Sequence, residues 1–241
     1  MKGNSDVENL FNVKAKTWSQ KYQPGGPLSG RAAVFQELIE TFLSPNDRIL
    51  DLGCGTGAIS SRLAALGFRV TACDISQEMI EAGKRNYGNS GIEWFLLPSG
   101  WKRLPFGPNT FDGIIASSVL EYVIELDVAF AECERILKPG GHLIATVPNT
   151  RNWIRRLENL LRPPAILASQ MPILNRVPRL HAYVSYLKFS RNRMPLNQWF
   201  DLGRRMHFST VEQGKSHRSK GPLVFLVFRK NDDKSEERPN V

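Results

Sequence analysis

The chain has 241 residues, of which 41% are hydrophobic, and it carries a net charge of +9. This length suits one well-buried domain and is short for two independent ones. Three cysteines are too few and too scattered for a disulfide framework or a zinc site. Residues 1–19 contain no apolar run, which argues against a signal peptide or a membrane span there and predicts a cytoplasmic protein.

The positive charge is concentrated in one late segment of the chain. Residues 147–230 contain 16 Lys and Arg against 3 Asp and Glu, whereas residues 1–146 contain 14 against 16. A basic excess confined to one segment predicts an acidic partner for that surface. The partner classes that fit are an anionic membrane, a phosphorylated substrate and nucleic acid.

The first part of the chain leads into a glycine-rich loop. Residues 1–30 are polar with scattered aromatic side chains, and we predict a mobile flap there. Residues 31–43 carry apolar side chains on one face, which predicts a helix. A short apolar strand at 48–52 then precedes three glycines at alternate positions, which are Gly53, Gly55 and Gly57. Glycine permits positive φ and lets a ligand approach main-chain N–H groups, so this loop is typical of a nucleotide site.

Two classes of nucleotide cofactor fit the loop by itself. Its spacing satisfies the dinucleotide fingerprint of NAD enzymes, and Asp74 follows near the distance of a ribose-binding acid. Asp51, two residues before the first glycine, instead suits a ligand that carries an ammonium or sulfonium group. Asp74 fits either a ribose ligand or a turn acid on position alone.

The middle of the chain alternates strands and helices. Strands are predicted at residues 68–73, 92–97, 111–116 and 142–147, and helices after Ser76 and at 129–137. Alternation of this kind predicts a parallel, doubly wound sheet with a ligand at the carboxyl ends of its strands. Two β-rich runs at 208–212 and 223–228 predict a terminal hairpin, and residues 231–241 a disordered tail.

Six motifs in order carry a family resemblance: Ile-Leu-Asp-Leu-Gly-Cys-Gly-Thr-Gly at 49–57, Cys-Asp-Ile-Ser at 73–76, Leu-Pro-Phe at 104–106, Phe-Asp-Gly-Ile-Ile at 111–115, Val-Leu-Glu at 119–121 and Arg-Ile-Leu-Lys-Pro-Gly-Gly at 135–141. The chain resembles the class I S-adenosylmethionine-dependent methyltransferases, and is most similar to the branch with the ubiquinone and menaquinone biosynthesis enzymes. The resemblance covers residues 31–149. It implies an α/β, Rossmann-like, mostly parallel seven-stranded sheet whose last strand is antiparallel, with a helical lid inserted at 150–189 and the core completed by 190–230.

The resemblance also implies a cofactor site. S-adenosylmethionine would act as co-substrate, with no metal, and would transfer its methyl group to a small-molecule acceptor. Asp51 and the loop would hold its methionine end, Asp74 its ribose, and residues after the third strand its adenine. The residues assigned to the cofactor are Arg31, Asp51, Gly53, Cys54, Gly55, Asp74, Ile75, Ser99, Gly100, Trp101 and Ser117.

The chain departs from the family pattern at two positions. Gly100 stands where many relatives have an adenine-binding Asp, so Ser99 is the substitute and Trp101 either stacks on adenine or covers the core. Tyr122 stands where relatives often have a histidine. An oxygen acceptor needs a base, and the candidates for that role are Tyr122 and His181, the latter also fitting a surface position.

The insertion at 150–189 contains a predicted helix with one apolar side and one basic side. Trp153, Leu157 and Leu160 share one side of a predicted helix, and arginines 155, 156 and 162 the other. An ordinary lid packed on the sheet fits this pattern, as does an interfacial element that brings a lipophilic or quinone-like acceptor from an anionic membrane through residues 151–180. An RNA methyltransferase and a non-catalytic relative that retains the fold are the alternatives. The pattern predicts no particular oligomeric state.

Overall fold

A computed structural model describes residues 2–168, 177–211 and 221–232. Within these residues the protein is built on one seven-stranded sheet. Its strands are β1 (Arg48–Leu52), β2 (Arg69–Asp74), β3 (Glu93–Leu96), β4 (Phe111–Ser117), β5 (Leu137–Pro148), β6 (Phe208–Thr210) and β7 (Leu223–Lys230). The helices are α1 (Lys2–Trp18), a 3-10 turn (Ser19–Tyr22), α2 (Ser29–Phe42), α3 (Ala58–Ala65), α4 (Gln77–Tyr87), α5 (Leu126–Ile136), α6 (Trp153–Ala168), α7 (Pro178–Phe189) and α8 (Leu196–Arg205).

The strand order is β3-β2-β1-β4-β5-β7-β6. The ladders from β3 to β5 are parallel, and β7 is antiparallel to both β5 and β6. The order reverses between β1 and β4, which opens a crevice at the carboxyl ends of these strands. The predicted doubly wound sheet with an antiparallel last strand is therefore confirmed.

Adjacent residues of the central strands face opposite layers of helices. Ile49 and Ile115 pack under α2 and α3 in one core cluster, whereas their neighbours Leu50 and Ile114 belong to the cluster on the other face. Trp199 of α8 is fully buried in this second cluster. A strand covered on both faces needs apolar side chains at every position, which explains the continuous apolar runs in the sequence.

Several predicted boundaries differ from the structure, most of all at the start of β5. Strand β5 begins at Leu137 rather than at residue 142, because Leu137 already pairs with Phe111 before an irregularity that takes up the Pro-Gly-Gly turn. Strand β6 ends at Thr210, and the hairpin connection at 212–220 and the tail at 233–241 lie outside the described residues. The predicted hairpin itself is present, since β6 and β7 pair in antiparallel register.

The segment predicted as a flap is helical in the structure. Helix α1 covers most of it and contacts α4 and α7. Its buried or half-buried side chains Val7, Phe11, Ala15 and Trp18 recur at helical spacing, but polar residues separate them, so the apolar signal is weak in the sequence. The N-terminal residues therefore form an ordered cover over one end of the sheet.

The described helices include none with the length and hydropathy that crossing a membrane requires.

Candidate active site

A pocket opens at the carboxyl ends of β1, β2 and β4, beneath helix α1. It encloses about 1090 Å³ when the space at its open mouth is included. Nine of the predicted site residues line it: Gly53, Gly55, Asp74, Ile75, Ser99, Gly100, Trp101, Ser117 and Tyr122. The crevice expected from the strand order and the residues expected from the motifs thus meet at one place.

The glycine-rich loop is held in a conformation that favours glycine. Gly53, Gly55 and Gly57 have φ values of 69°, 55° and 77°, which a residue with a Cβ rarely adopts. A Cβ on Gly55 would lie 2.7 Å from Trp18 Nε1, and one on Gly53 would lie 2.2 Å from a methyl group of Val119. The sequence suggested that these glycines leave room for a ligand. In the structure their Cβ directions are filled by the protein's own side chains.

Asp74 ties the glycine-rich loop to the end of β2. Its Oδ2 accepts a hydrogen bond from the Gly55 N–H at 2.9 Å, and its Oδ1 accepts one from the Ser76 N–H, also at 2.9 Å. Burial raises the pKa of Asp74 above its usual value, while these N–H donors lower it. A carboxylate has about four lone-pair sites, so the side chain both braces the loop and faces the pocket.

Asp51 is a buried carboxylate with one unsatisfied oxygen. Its Oδ2 accepts a hydrogen bond of 2.6 Å from Ser60 Oγ, but its buried Oδ1 has no partner within the described residues. Burial is the main cause that raises the pKa of Asp51 to about 7, and the nearby Asp74 adds to it. A bound cation would stabilise such a group, since burying a carboxylate without a partner costs free energy.

The loop after β3 supplies a second unsatisfied polar atom. Ser99 Oγ is buried and has no hydrogen-bond partner in the part of the chain that the structure covers. Gly100 has a φ of 74°, and Trp101 packs against the core while it also lines the pocket. This position is compatible with both predicted roles of Trp101, which are stacking on adenine and covering the core.

Arg31 and Cys54 are not among the residues that line the pocket, but each is bonded to residues that do. The guanidinium of Arg31 donates to Ser118 Oγ at 3.1 Å and to Ser117 Oγ at 3.5 Å, and both serines line the pocket. The half-buried Cys54 directs its S–H toward the Gly55 carbonyl. Burial raises the pKa of the Cys54 thiol well above its usual value, so this thiol stays protonated.

Comparison with known proteins gives a consistent answer. Residues 50–145 match the profile of the family described as "Methyltransferase domain". A ubiquinone biosynthesis O-methyltransferase of Xanthomonas euvesicatoria pv. vesicatoria is 29% identical over 185 residues, which cover 74% of this chain and 72% of that protein. A demethylmenaquinone methyltransferase of Clavibacter sepedonicus is 39% identical over 99 residues, with 41% and 40% covered. A crystal structure of a methyltransferase from Methanosarcina mazei matches with a TM-score of 0.62 at 22% identity, over 81% of this chain and 98% of that one.

Residues 50–145 of this chain form a methyltransferase domain of the class I, S-adenosylmethionine-dependent type. The resemblance drawn from the six sequence motifs, including the branch with the quinone-biosynthesis enzymes, is thereby confirmed. The methyl donor is S-adenosylmethionine, whose sulfonium supplies an already activated methyl group.

Helix α1 closes the pocket of the methyltransferase from one side. Val7, Phe11 and Trp18 line the pocket, and the Phe11 ring stands edge-on to Tyr122 with 5.2 Å between ring centroids. The helix is anchored by Ser76 Oγ, which donates to Asn12 Oδ1 at 2.6 Å. Sequence reasoning missed these contacts, although the apolar residues of this segment recur at helical spacing.

Of the two catalytic candidates, only Tyr122 lies at the pocket of the methyltransferase. Burial raises the pKa of the Tyr122 hydroxyl well above its usual value, and the neighbouring Glu121 raises it further. His181 has an exposed side chain on α7 and is not among the residues that line the pocket. The structure therefore does not bring His181 to the site as the sequence prediction required.

Glu121 precedes the pocket-lining Tyr122 in the chain and is hydrogen-bonded toward the lid. Its Oε2 accepts a hydrogen bond of 2.5 Å from Ser190 Oγ, and Ser190 Oγ also accepts from Arg193 Nε at 2.9 Å. Arg193 in turn donates to Glu158 Oε2 of α6 at 2.9 Å. This buried chain of polar groups was not predicted, because its members are separated by up to 69 residues.

Proposed function

We propose that this methyltransferase methylates an oxygen or carbon atom of a lipophilic, quinone-like small molecule. The observation that carries the proposal is the apolar lining of the pocket beyond the glycine-rich loop. This part of the wall is formed by Val7, Phe11, Val119, Val123 and Ile124. Apolar walls with a few convergent polar groups are typical of small-molecule sites.

The methyl donor would lie along the glycine-rich loop. The unsatisfied Oδ1 of Asp51 suits the ammonium of its methionine end, and the guanidinium of Arg31 suits the carboxylate. Asp74 has lone pairs left for ribose hydroxyls after its two backbone bonds. Ser99 Oγ suits the adenine amino group, and Trp101 suits the adenine face. The remaining contacts would come from Gly53, Cys54, Gly55, Ile75, Gly100 and Ser117.

The protein's part in the reaction would be alignment and exclusion of water. Methyl transfer from a sulfonium is an in-line displacement, so orientation of the acceptor lowers the barrier most. Helix α1 supports this role because it covers the pocket from the solvent side. The raised pKa of Tyr122 keeps its hydroxyl protonated at neutral pH. We therefore assign Tyr122 a hydrogen-bond donor role toward the acceptor, rather than that of the base.

The relatives support the same acceptor class. The two sequence relatives described above are named for ubiquinone and menaquinone biosynthesis. The chain spans 72% of the first and 40% of the second. Ubiquinone and menaquinone both contain an oxygen-bearing ring to which a hydrophobic tail is attached.

The proposal is tested by methyl transfer from labelled S-adenosylmethionine. Prenylated hydroquinones and catechols would be compared with the same rings without a tail, and with total tRNA. We expect transfer to the prenylated compounds, with a kcat/KM at least about tenfold above that of the tailless rings, since each buried CH₂ contributes about 0.8 kcal/mol. Transfer to tRNA alone would overturn the proposal, as would retention of the cofactor without transfer to any acceptor.

A matched pair of variants locates the acceptor. Ile124 lines the pocket and is 44% exposed, whereas Leu96 on the edge strand β3 is 52% exposed and lies outside the pocket. Ile124→Gln should lower kcat/KM for the prenylated acceptor and leave the affinity for S-adenosylmethionine unchanged. Leu96→Gln should change neither quantity. Equal effects of the two variants would contradict the placement of the acceptor.

A further inference from the structure

Helix α6 exposes its apolar side chains to solvent. Trp153 and Leu160 are 71% and 72% exposed, and Leu157 is 47% exposed. Ile154 and Leu161 are also exposed, as are Leu180 and Tyr183 on the neighbouring helix α7. These seven residues are called the lid face below. A run of large exposed apolar side chains of this kind marks an interaction surface rather than ordinary surface composition.

The opposite side of α6 is polar and faces the protein. Glu158 is buried, and its Oε2 accepts hydrogen bonds from Arg155 at 2.8 Å and from Arg193 at 2.9 Å. The side chains of Arg155 and Arg193 are only 12% and 3% exposed. Arg162 Nε donates to the Leu187 carbonyl of α7. On the predicted basic face of α6, Arg155 and Arg162 are therefore half-buried, whereas Arg156 is exposed.

This polar network fixes which way α6 faces. Turning the helix to bury its leucines would carry Glu158 away from Arg193, and would leave a buried guanidinium without its carboxylate. Arg193 also bonds Ser190, which bonds Glu121, the residue before the pocket-lining Tyr122. Breaking a buried ion pair by removal of one partner is strongly unfavourable. The lid face therefore stays outward, and the lid is not an ordinary apolar cover packed on the sheet.

The exposed charges on the two lid helices and their flanks have one sign. Glu158 is the only acidic residue between positions 149 and 193, and it is buried in the network just described. Arg151, Arg156, Lys188 and Arg191 are exposed on the same two helices and their flanks. Apolar side chains bordered by cations match the two parts of an anionic bilayer surface, its hydrocarbon and its phosphate headgroups. Nucleic acid would match the cations alone and leave the leucines in water.

We propose that the lid face is a docking surface for anionic lipid membranes, on which the enzyme rests while it takes its acceptor. Helix α7 contacts helix α1, which lines the pocket, so the docked side adjoins the pocket's cover. The docking itself is independent of the acceptor. Only the statement that the acceptor enters from the bilayer rests on the function proposed above.

The test is flotation of the purified chain with vesicles of phosphatidylcholine, alone or mixed with phosphatidylglycerol, at low and high salt. We expect flotation only with the anionic mixture, weakened by salt. The double variant Trp153→Ala/Leu160→Ala should reduce vesicle binding by about tenfold or more, because each CH₂ group that inserts into the bilayer increases the affinity for the membrane. Arg151→Gln/Arg156→Gln should reduce it by about 30-fold at low salt, since each cation contributes a factor of about five. Arg155 is unsuitable as a target because it holds the buried network.

Matched controls lie outside the lid face. Leu96→Ala removes an exposed apolar side chain, and Arg69→Gln/Arg103→Gln removes two exposed arginines. Both should float like the parent. Calorimetry with S-adenosylmethionine should give the parent affinity for every variant, which separates a failed docking surface from a failed enzyme. The proposal is overturned if the parent does not float, or if lid and control variants lose flotation equally. If the parent instead binds RNA and only the arginine variant loses that binding, the surface is assigned to nucleic acid.

Discussion

The unsatisfied carboxylate of Asp51 predicts that one substitution stabilises the ligand-free protein while it weakens the active site. Asp51→Asn keeps the side-chain shape and an oxygen that accepts from Ser60, but it removes the buried charge. We expect the variant to be more stable than the parent at pH 8, and to bind S-adenosylmethionine more weakly. Functional sites commonly hold groups that reduce stability in this way.

The size of the effect follows from the pKa. Burial raises the pKa of Asp51 from 3.8 to about 7, so the folded protein retains this proton at a pH where the unfolded chain has lost it. Stability therefore falls as pH rises through that range, by about 4 kcal/mol in full. An amide N–H left without an acceptor at Oδ1 costs about 1–3 kcal/mol. The net gain in Asp51→Asn is then about 1–3 kcal/mol at pH 8.

Urea unfolding of both proteins at pH 8 and pH 5, without ligand, measures this difference. At pH 5 the folded parent already holds the proton on Asp51, so the advantage of Asp51→Asn should shrink by about 2–3 kcal/mol. The amide cost cancels in that comparison. The reasoning is refuted if the variant is less stable than the parent at pH 8, or if its advantage is the same at both pH values. Either result would mean that the carboxylate has a partner in the folded protein.

Three further predictions concern the same end of the sheet and its connection to the lid. Asp74→Ala should lower the free energy of unfolding by about 1–3 kcal/mol, because two backbone N–H groups lose their acceptor; an unchanged urea midpoint would contradict this. Gly55→Ala should cost about 1 kcal/mol less in a Trp18→Ala background than in the parent, since the indole occupies the Cβ position, and strict additivity would argue against that contact. Ser190→Ala removes the donor that lowers the pKa of the buried Glu121. It should destabilise the protein more at pH 8 than at pH 5, and an equal loss at both would exclude an ionised Glu121.

The sheet was predictable because its signals are local. The apolar run before Gly53 and the strand–helix alternation after it predict each strand from a few adjacent residues. Six motifs in order predict the same arrangement, which the strand order of the structure confirms. The orientation of α6 was not predictable in the same way. The partner that decides it, Arg193, lies 35 residues from Glu158, and amphipathic spacing states which residues share a face but not which face turns inward. Helix α1 was missed because its pocket-facing side chains stand among lysines and amides.

The position of β7 has a consequence for how the protein is made. This strand follows β6 in the chain but lies between β5 and β6 in the sheet, where it pairs with β5 from His142 to Pro148. Until residues 223–230 leave the ribosome, β5 presents an open edge that consists largely of buried residues. Such an edge pairs readily with other chains. Translation pauses or truncations upstream of Leu223 should therefore yield aggregated protein, whereas a chain interrupted after Lys230 already contains every strand of the sheet.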